Sequence, residues 1–201
     1  MTAEPVTCHS PLEDWAADLG ELGPDLSVVE RPFLTQLTLR VADAAASTAA
    51  GEALGVPLPS APCTFSRGTG PRGELEVLWM GPDEYLVVGG VEVADELERD
   101  LRDALAGLSG AVVDVSAQRT TLALSGSRWR DVLAHGCSID LHPSAAPDAT
   151  CVQTLLARTG IVLLVRDAAR NEFALLVRAS FGRYLASWLI DASTEYRQAR
   201  T

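Results

Sequence analysis

The sequence predicts an α+β fold made of two related split βαβ-like units, with antiparallel or mixed sheets and packed helices. The pattern Thr-x-Leu-x-Leu occurs at residues 35–39 and again at 120–124, an offset of 85 residues (120 − 35 = 85). Each copy is followed by a helical segment that ends in glycine, a strand hairpin and an amphipathic helix. This repeated order is typical of duplicated α+β layers rather than of a doubly wound parallel sheet.

The length of the chain, 201 residues, allows one compact domain or two small ones. We expect an N-terminal arm at residues 1–25, a first α+β unit at 26–110 and a second at 111–201, together forming one compact subunit. Apolar residues make up 47% of the chain and charged residues 21%, which is the balance of an ordinary globular protein with a core.

The first unit opens on a strand, because apolar and polar residues alternate over 32–41. An alanine-rich helix at about 42–54 follows and stops at Gly55. Residues 74–80 form a second strand, which turns at 81–84 into a third strand at 85–88. Residues 94–108 predict a helix whose apolar stripe consists of Leu97, Leu101, Leu105 and Leu108.

The second unit repeats this order from the strand at 120–124. Ser127 is a candidate N-cap for a short helix that carries Trp129 and closes at Gly136, which is expected in the left-handed conformation. Strands are predicted near 151–156, 161–165 and 173–178. Ser180 then caps a last helix, whose apolar side consists of Phe181, Tyr184, Leu185, Trp188 and Leu189.

Composition and charge exclude several functions. The net charge is −11 and the 16 basic residues are all arginine, so nucleic acid and anionic membranes are poor partners. A Schiff-base lysine and a P-loop lysine are excluded as well.

The sequence also bears on localisation. Residues 1–15 have no targeting pattern, and the apolar run at 161–165 is too short to span a bilayer. The four cysteines are scattered along the chain. We therefore expect a cytoplasmic protein with free thiols.

A GxGxxG string at residues 68–73 is the one nucleotide-site motif in the sequence. A dinucleotide site needs a strand before this string and a helix that opens at its end. Here a strand pattern follows instead, and Pro71 lies where the helix should begin. We interpret the segment as a hairpin loop and expect no cofactor on this chain.

A second candidate consists of metal-ligand side chains close together in sequence: His135, Cys137, Asp140 and His142. Structural zinc sites use four ligands with paired spacings such as CxxC, and none is present. The alternative is a helix C-terminus, where His135 interacts favourably with the helix dipole and Cys137 packs as a small apolar group.

Nucleophilic catalysis has no better support, because there is no GxSxG elbow and Cys151 has no neighbouring base. We expect neither a metal nor a catalytic residue.

The stretch 112–126 stands apart because Asp114, Ser116, Gln118 and Arg119 interrupt an apolar strand region. Polar groups at half-buried positions need hydrogen-bond partners. One interpretation is an internal network that fixes a bend between two strands. The other is a contact surface for a partner subunit or a cofactor, since arginine is favoured at desolvated interfaces.

Seven segments, which run in order along nearly the whole chain, match the pattern of a known family. They are Ser10-Pro11-Leu12, Glu30-Arg31-Pro32-Phe33, Gly81-Pro82-Asp83-Glu84-Tyr85, Asp114-Val115-Ser116-Ala117-Gln118-Arg119-Thr120-Thr121, Gly136-Cys137-Ser138-Ile139-Asp140-Leu141-His142-Pro143, Gln153-Thr154-Leu155-Leu156-Ala157 and Phe181-Gly182-Arg183-Tyr184-Leu185. The segments around 114–121 and 138–143 are the most specific. Through these segments the chain resembles the gamma subunit family of heterotetrameric sarcosine oxidase.

The resemblance implies a complex with alpha, beta and delta subunits that oxidises the N-methyl group of sarcosine. The products are glycine, hydrogen peroxide and formaldehyde, or methylene-tetrahydrofolate when folate is present. It also implies FAD, covalent FMN and NAD on alpha and beta, zinc on delta, and a packing role for gamma. The candidate subunit-contact or structural-network residues are then Asp114, Ser116, Gln118, Arg119, Asp140 and His142.

The chain also resembles, more widely, the folate-binding fold of the glycine cleavage T-protein. That family carries an acidic residue for folate chemistry after a Leu-Leu-Asn-x-x-Gly-Gly pattern. The corresponding position here is Leu163 or Leu164, and an aliphatic side chain cannot move a proton. The alternatives to a noncatalytic oxidase subunit are a free-standing folate-binding or one-carbon-transfer protein, and an adaptor unrelated to folate or sarcosine.

Overall fold

The computed structural model describes residues 8–196, so the first seven residues of the predicted arm and the last five of the predicted second unit lie outside it. Ten strands and five α-helices form within these residues. The strands are β1 (Ser27–Arg31), β2 (Leu34–Val41), β3 (Phe65–Gly70), β4 (Gly73–Gly81), β5 (Glu84–Val91), β6 (Gly110–Asp114), β7 (Arg119–Ser125), β8 (Thr150–Leu156), β9 (Thr159–Asp167) and β10 (Glu172–Arg178). The helices are α1 (Ala16–Gly20), α2 (Ala44–Leu54), α3 (Ala94–Ala104), α4 (Trp129–Ala134) and α5 (Gly182–Ala192).

The strands form two five-stranded sheets, and every strand pair within them is antiparallel. The first sheet has the order β6-β2-β5-β4-β3 and the second has the order β1-β7-β10-β9-β8. The repeated Thr-x-Leu-x-Leu pattern lies in β2 and in β7, which take the same place in the two orders. The structure thus confirms the predicted α+β fold with two related units.

The two units exchange their first strands. β1 precedes β2 in the chain but pairs with β7, with Val29 opposite Ala123. β6 precedes β7 but pairs with β2, with Val113 opposite Thr38. The division into residues 1–25, 26–110 and 111–201 stays a prediction, and in sheet pairing each half contributes one edge strand to the other.

The layers stack in the order helices, sheet, sheet, helices, and three apolar cores lie between them. α2 and α3 cover the outer face of the first sheet, and α1, α4 and α5 cover the outer face of the second. The third core joins the inner faces of the two sheets, where Leu78, Leu86 and Val88 meet Val162 and Leu164. Within residues 8–196, no helix is long and apolar enough to cross a membrane.

The predicted end of the alanine-rich helix is confirmed. Asp43 caps the start of α2, since its Oδ1 accepts a hydrogen bond of 2.8 Å from the backbone N–H of Ala46. Gly55 ends the helix with φ +67°, a conformation that glycine adopts at little cost. The helix end packs so closely on the β3–β4 hairpin that a Cβ on Gly70 would lie 1.9 Å from the carbonyl oxygen of Leu54.

Some details of the predicted helices are wrong. α3 ends at Ala104 and Leu108 is 38% exposed, because the chain turns at Gly107 with φ +81°. At α4, Ser127 makes no cap and its Oγ donates to Asp25 at 2.8 Å. Gly136 is not in the left-handed conformation. A glycine is needed there because a Cβ would lie 2.6 Å from the ring of Trp188.

The last helix also differs from its prediction at the N-terminal end. Its N-cap position is Phe181, which makes no side-chain cap, and Ser180 does not cap the helix either. Phe181 and Tyr184 are exposed, whereas Leu185 and Leu189 are buried in the core of the second sheet. The apolar side of α5 is therefore narrower than the sequence predicts, and two aromatic side chains lie on the surface.

Candidate contact site

The bend between β6 and β7 is held by a small polar network. Oδ1 of Asp114 accepts hydrogen bonds from the backbone N–H of Ser116 at 2.8 Å and from its hydroxyl at 2.5 Å. The Ser116 Oγ in turn accepts a bond of 3.0 Å from the backbone N–H of Gln36. The network ties the bend to β2 of the first sheet.

Gln36 is the residue of this network that the sequence analysis missed. Its carbonyl accepts from the N–H of Val115 at 2.8 Å, and its Nε2 donates to the carbonyl of Arg119 at 3.1 Å. The side chain is 1% exposed although the strand pattern places it among the polar residues of β2. The alternation in the sequence gives no signal that this position is buried. Its equivalent in β7, Thr121 (36 + 85 = 121), is also polar and buried.

Arg119 begins β7 and is not paired with Asp114. Its backbone lies directly opposite Arg178 of β10, and no carboxylate of residues 8–196 comes within 4.0 Å of its guanidinium. Burial, and then the charge of Arg178, lower the pKa of Arg119, and Glu84 opposes this at longer range. Its neighbour Gln118 is exposed. Arg119 is thus a half-buried cation that has no ion pair within residues 8–196.

Arg119 lies on the wall of an open cavity of about 560 Å³ at one end of the inner face of the second sheet. Two further arginines line this cavity, Arg158 from the β8–β9 turn and Arg178 from the end of β10. Buried Val162 and Leu176 belong to its lining, as do exposed Leu155 and Phe181. The cavity combines cations with an apolar surface. We call it the arginine cavity.

Asp140 and His142 lie in the loop between α4 and β8, and both are exposed. Oδ1 of Asp140 accepts a bond of 2.8 Å from the backbone N–H of His142, and Nδ1 of His142 lies 2.7 Å from the Ser144 Oγ. These bonds are local to the loop. The contact role of the six candidate residues stays a prediction.

Three further candidate sites from the sequence are the GxGxxG string, the possible metal ligands and Cys151. The GxGxxG string forms the β3–β4 hairpin turn, as predicted, with no helix after it. Between residues 8 and 196, no three His, Cys, Asp or Glu side chains lie close enough together to hold a metal ion. Cys151 is buried between the sheets, and burial raises the pKa of its thiol to about 12. Such a thiol carries almost no thiolate at neutral pH.

The fold places the chain in a known structural class. The glycine cleavage system aminomethyltransferase T from Bartonella henselae superimposes with a TM-score of 0.62 over 87% of this chain and 48% of that chain, at 13% sequence identity. At this identity the likeness concerns the fold alone. The chain has the fold of the T-proteins, as its sequence resemblance implies.

The chain belongs to the sarcosine oxidase gamma subunit family. The model of that family matches residues 39–195. The sarcosine oxidase subunit gamma of Corynebacterium sp. (strain P-1) is 35% identical over 196 residues, which cover 94% of this chain and 91% of the relative. The same protein of Arthrobacter sp. is 35% identical over 191 residues, with the same shares covered.

A solved structure agrees with this assignment. A chain of the heterotetrameric sarcosine oxidase from Corynebacterium sp. U-96, in complex with pyrrole 2-carboxylate, matches with a TM-score of 0.84 and 33% sequence identity. The match covers 96% of this chain and 98% of that chain. The two chains therefore share the fold over almost their full length.

Proposed function

We propose that this chain is the gamma subunit of a heterotetrameric sarcosine oxidase and serves there as a noncatalytic structural and assembly subunit. The complex would carry out the oxidative demethylation of sarcosine to glycine, with hydrogen peroxide and either formaldehyde or methylene-tetrahydrofolate as further products. The main support for this proposal is the 35% identity to gamma subunits over 94% of the chain.

The cofactors and partners follow from the same proposal. Alpha, beta and delta subunits would be the partners, and FAD, covalent FMN, NAD, zinc and tetrahydrofolate would be bound by those subunits in the cytoplasm. The geometry of this chain supports such a division. The GxGxxG string is followed by a strand rather than a helix, and burial raises the pKa of the Cys151 thiol.

The second candidate, a free-standing folate-binding or one-carbon-transfer protein, draws on the T-protein fold. Leu163 and Leu164, where the T-protein pattern requires an acid, are both 0% exposed. Leu163 packs under the helices and Leu164 between the sheets. Neither can move a proton or bind a pterin by charge, which favours the noncatalytic assignment.

We expect the isolated chain to bind none of FAD, FMN, NAD, zinc and tetrahydrofolate at micromolar concentration. Isothermal titration of the purified chain with each of them measures this, and its absorbance reports any flavin that copurifies. The positive control is the intact complex, recovered through a tag on this chain and expected to be yellow from its flavins. A dissociation constant near 1 μM for any of the five, which corresponds to about −8 kcal/mol, contradicts the proposal.

A further inference from the structure

Three arginines converge on the arginine cavity from separate elements of the second unit. Arg119 and Arg178 lie directly opposite each other on β7 and β10, and Arg158 lies in the turn between β8 and β9. Like charges directly opposite on neighbouring strands are destabilising. No carboxylate of residues 8–196 lies within 4.0 Å of any of the three guanidinium groups. The cluster therefore costs this chain stability unless an anion from outside matches it.

The duplicated fold does not require these cations. In the first unit the position equivalent to Arg119 is Leu34 (119 − 85 = 34), which lies in β2 and pairs with Val91 of β5. An apolar side chain thus fills the same place in a sheet of the same strand order. The net charge of the chain is −11, so a local excess of unmatched arginine runs against its overall composition. The arginines serve something other than folding.

The surroundings of the cavity point to a chain segment as the occupant. Leu155 is 57% exposed and Phe181 is 44% exposed, and both line the cavity. A small anion bound to the guanidinium groups would leave these two side chains in water. A polypeptide segment that crosses the cavity would cover them, and arginine with large apolar side chains is the composition of interface centres.

From this we infer that the arginine cavity is the docking site for an acidic segment of a partner subunit, whose aspartate or glutamate carboxylates pair with Arg119, Arg158 and Arg178 while an adjacent apolar side chain packs on Leu155 and Phe181. The inference rests on the proposed function, since it needs the assembled oxidase. It extends the predicted contact at Arg119 to a defined cavity and a defined chemistry of the partner.

The first test is a cross-link in the complex produced with all its subunits. The photoreactive residue p-benzoylphenylalanine replaces Leu155, and mass spectrometry identifies the peptide to which it attaches on illumination. We expect a peptide of another subunit that carries aspartate or glutamate within a few residues of the attachment point. Attachment only to this chain, or to a segment without acidic residues, overturns the inference.

The second test is charge reversal at the two exposed arginines, Arg158→Glu and Arg178→Glu, which leaves the half-buried Arg119 in place so that the chain still folds. We expect the double variant to bind the other subunits at least about tenfold more weakly than wild type at low salt, with a flatter dependence on salt concentration. Arg99→Glu on α3 reverses a single charge outside the cavity, half the change of the double variant, and is expected to bind like wild type.

The outcomes separate this inference from the proposed function. If the wild-type chain is not recovered with the oxidase subunits at all, the proposed function fails. If wild type and the double variant are recovered with equal affinity, only the docking inference is overturned. It is also overturned if micromolar phosphate or citrate raises the melting temperature of the free wild-type chain but not that of the double variant, because the cavity is then a small-anion site.

Discussion

Replacement of Trp129 by alanine should lower the free energy of unfolding by about 4 kcal/mol, roughly 8–16 °C in melting temperature. Trp129 is 0% exposed and joins α4 to the core of the second sheet. Its indole Nε1–H also donates a bond of 2.8 Å to the carbonyl of Ser27 at the start of β1. The substitution removes the largest fully buried side chain together with this hydrogen bond.

Two comparison variants separate these contributions. Trp129→Phe keeps most of the buried volume and loses the hydrogen bond, so we expect a loss of about 1–2 kcal/mol. Trp15→Ala removes a tryptophan that is only partly buried against the same core, and it should cost less than half as much as Trp129→Ala. Denaturant unfolding of the three variants measures all of these. A loss below about 1 kcal/mol for Trp129→Ala would contradict the packing described here.

The Glu76→Leu substitution should cost about 3 kcal/mol, and the double substitution Glu76→Leu with Arg166→Leu should cost less than about 1 kcal/mol. Oε2 of Glu76 in β4 lies 2.7 Å from Nη2 of Arg166 in β9, so the ion pair joins the inner faces of the two sheets. The Glu76 side chain is 10% exposed and that of Arg166 is 23% exposed. The single change leaves a largely buried cation without its partner, whereas the double change replaces both charges by apolar groups.

The pair of Arg40 with Asp83 is the matched control. It has a similar distance of 3.0 Å, but its side chains are 53% and 44% exposed. Solvent weakens such a pair, so Asp83→Ala should cost much less stability than Glu76→Leu. A double-mutant cycle on urea unfolding gives the coupling in both pairs. Additive effects at Glu76 and Arg166 would mean that the cross-sheet pair contributes nothing to holding the sheets together.

Local patterns were sufficient to predict most of the fold. The alternation in β2 and the glycine at the end of α2 depend on neighbouring residues, and the offset of 85 residues predicts that the same unit occurs twice. The exchange of β1 and β6 between the sheets was not predictable in this way. Strand pairing at long sequence separation leaves no local signal, and the edge strands are short, five residues each.

The candidate site was predicted only in part, for the same reason. The polar interruption at 114–119 was visible in the sequence, and the bonds of Asp114 and Ser116 form within it. Arg158 and Arg178 were not singled out, because only the pairing of β7 with β10 and of β8 with β9 brings them to Arg119. Gln36 was assigned to a polar strand face, but the facing sheet buries that face.

In the proposed function, this chain assembles the oxidase without taking part in its chemistry. Turnover of sarcosine per intact heterotetramer, compared between wild type and Arg119→Ala, tests it most directly. Arg119 is the one half-buried cation in the polar stretch most specific to the family. Assembly is measured separately by size-exclusion chromatography with light scattering.

We expect Arg119→Ala to reduce the yield of intact heterotetramer, because a partner carboxylate loses its cation, at a cost of about 3–5 kcal/mol if the pair is buried in the complex. Each complex that does assemble should turn over sarcosine at the wild-type rate, since the proposed role gives this chain no proton or hydride to transfer. Full assembly of the variant with turnover lowered a hundredfold would contradict the account and place Arg119 at an active site.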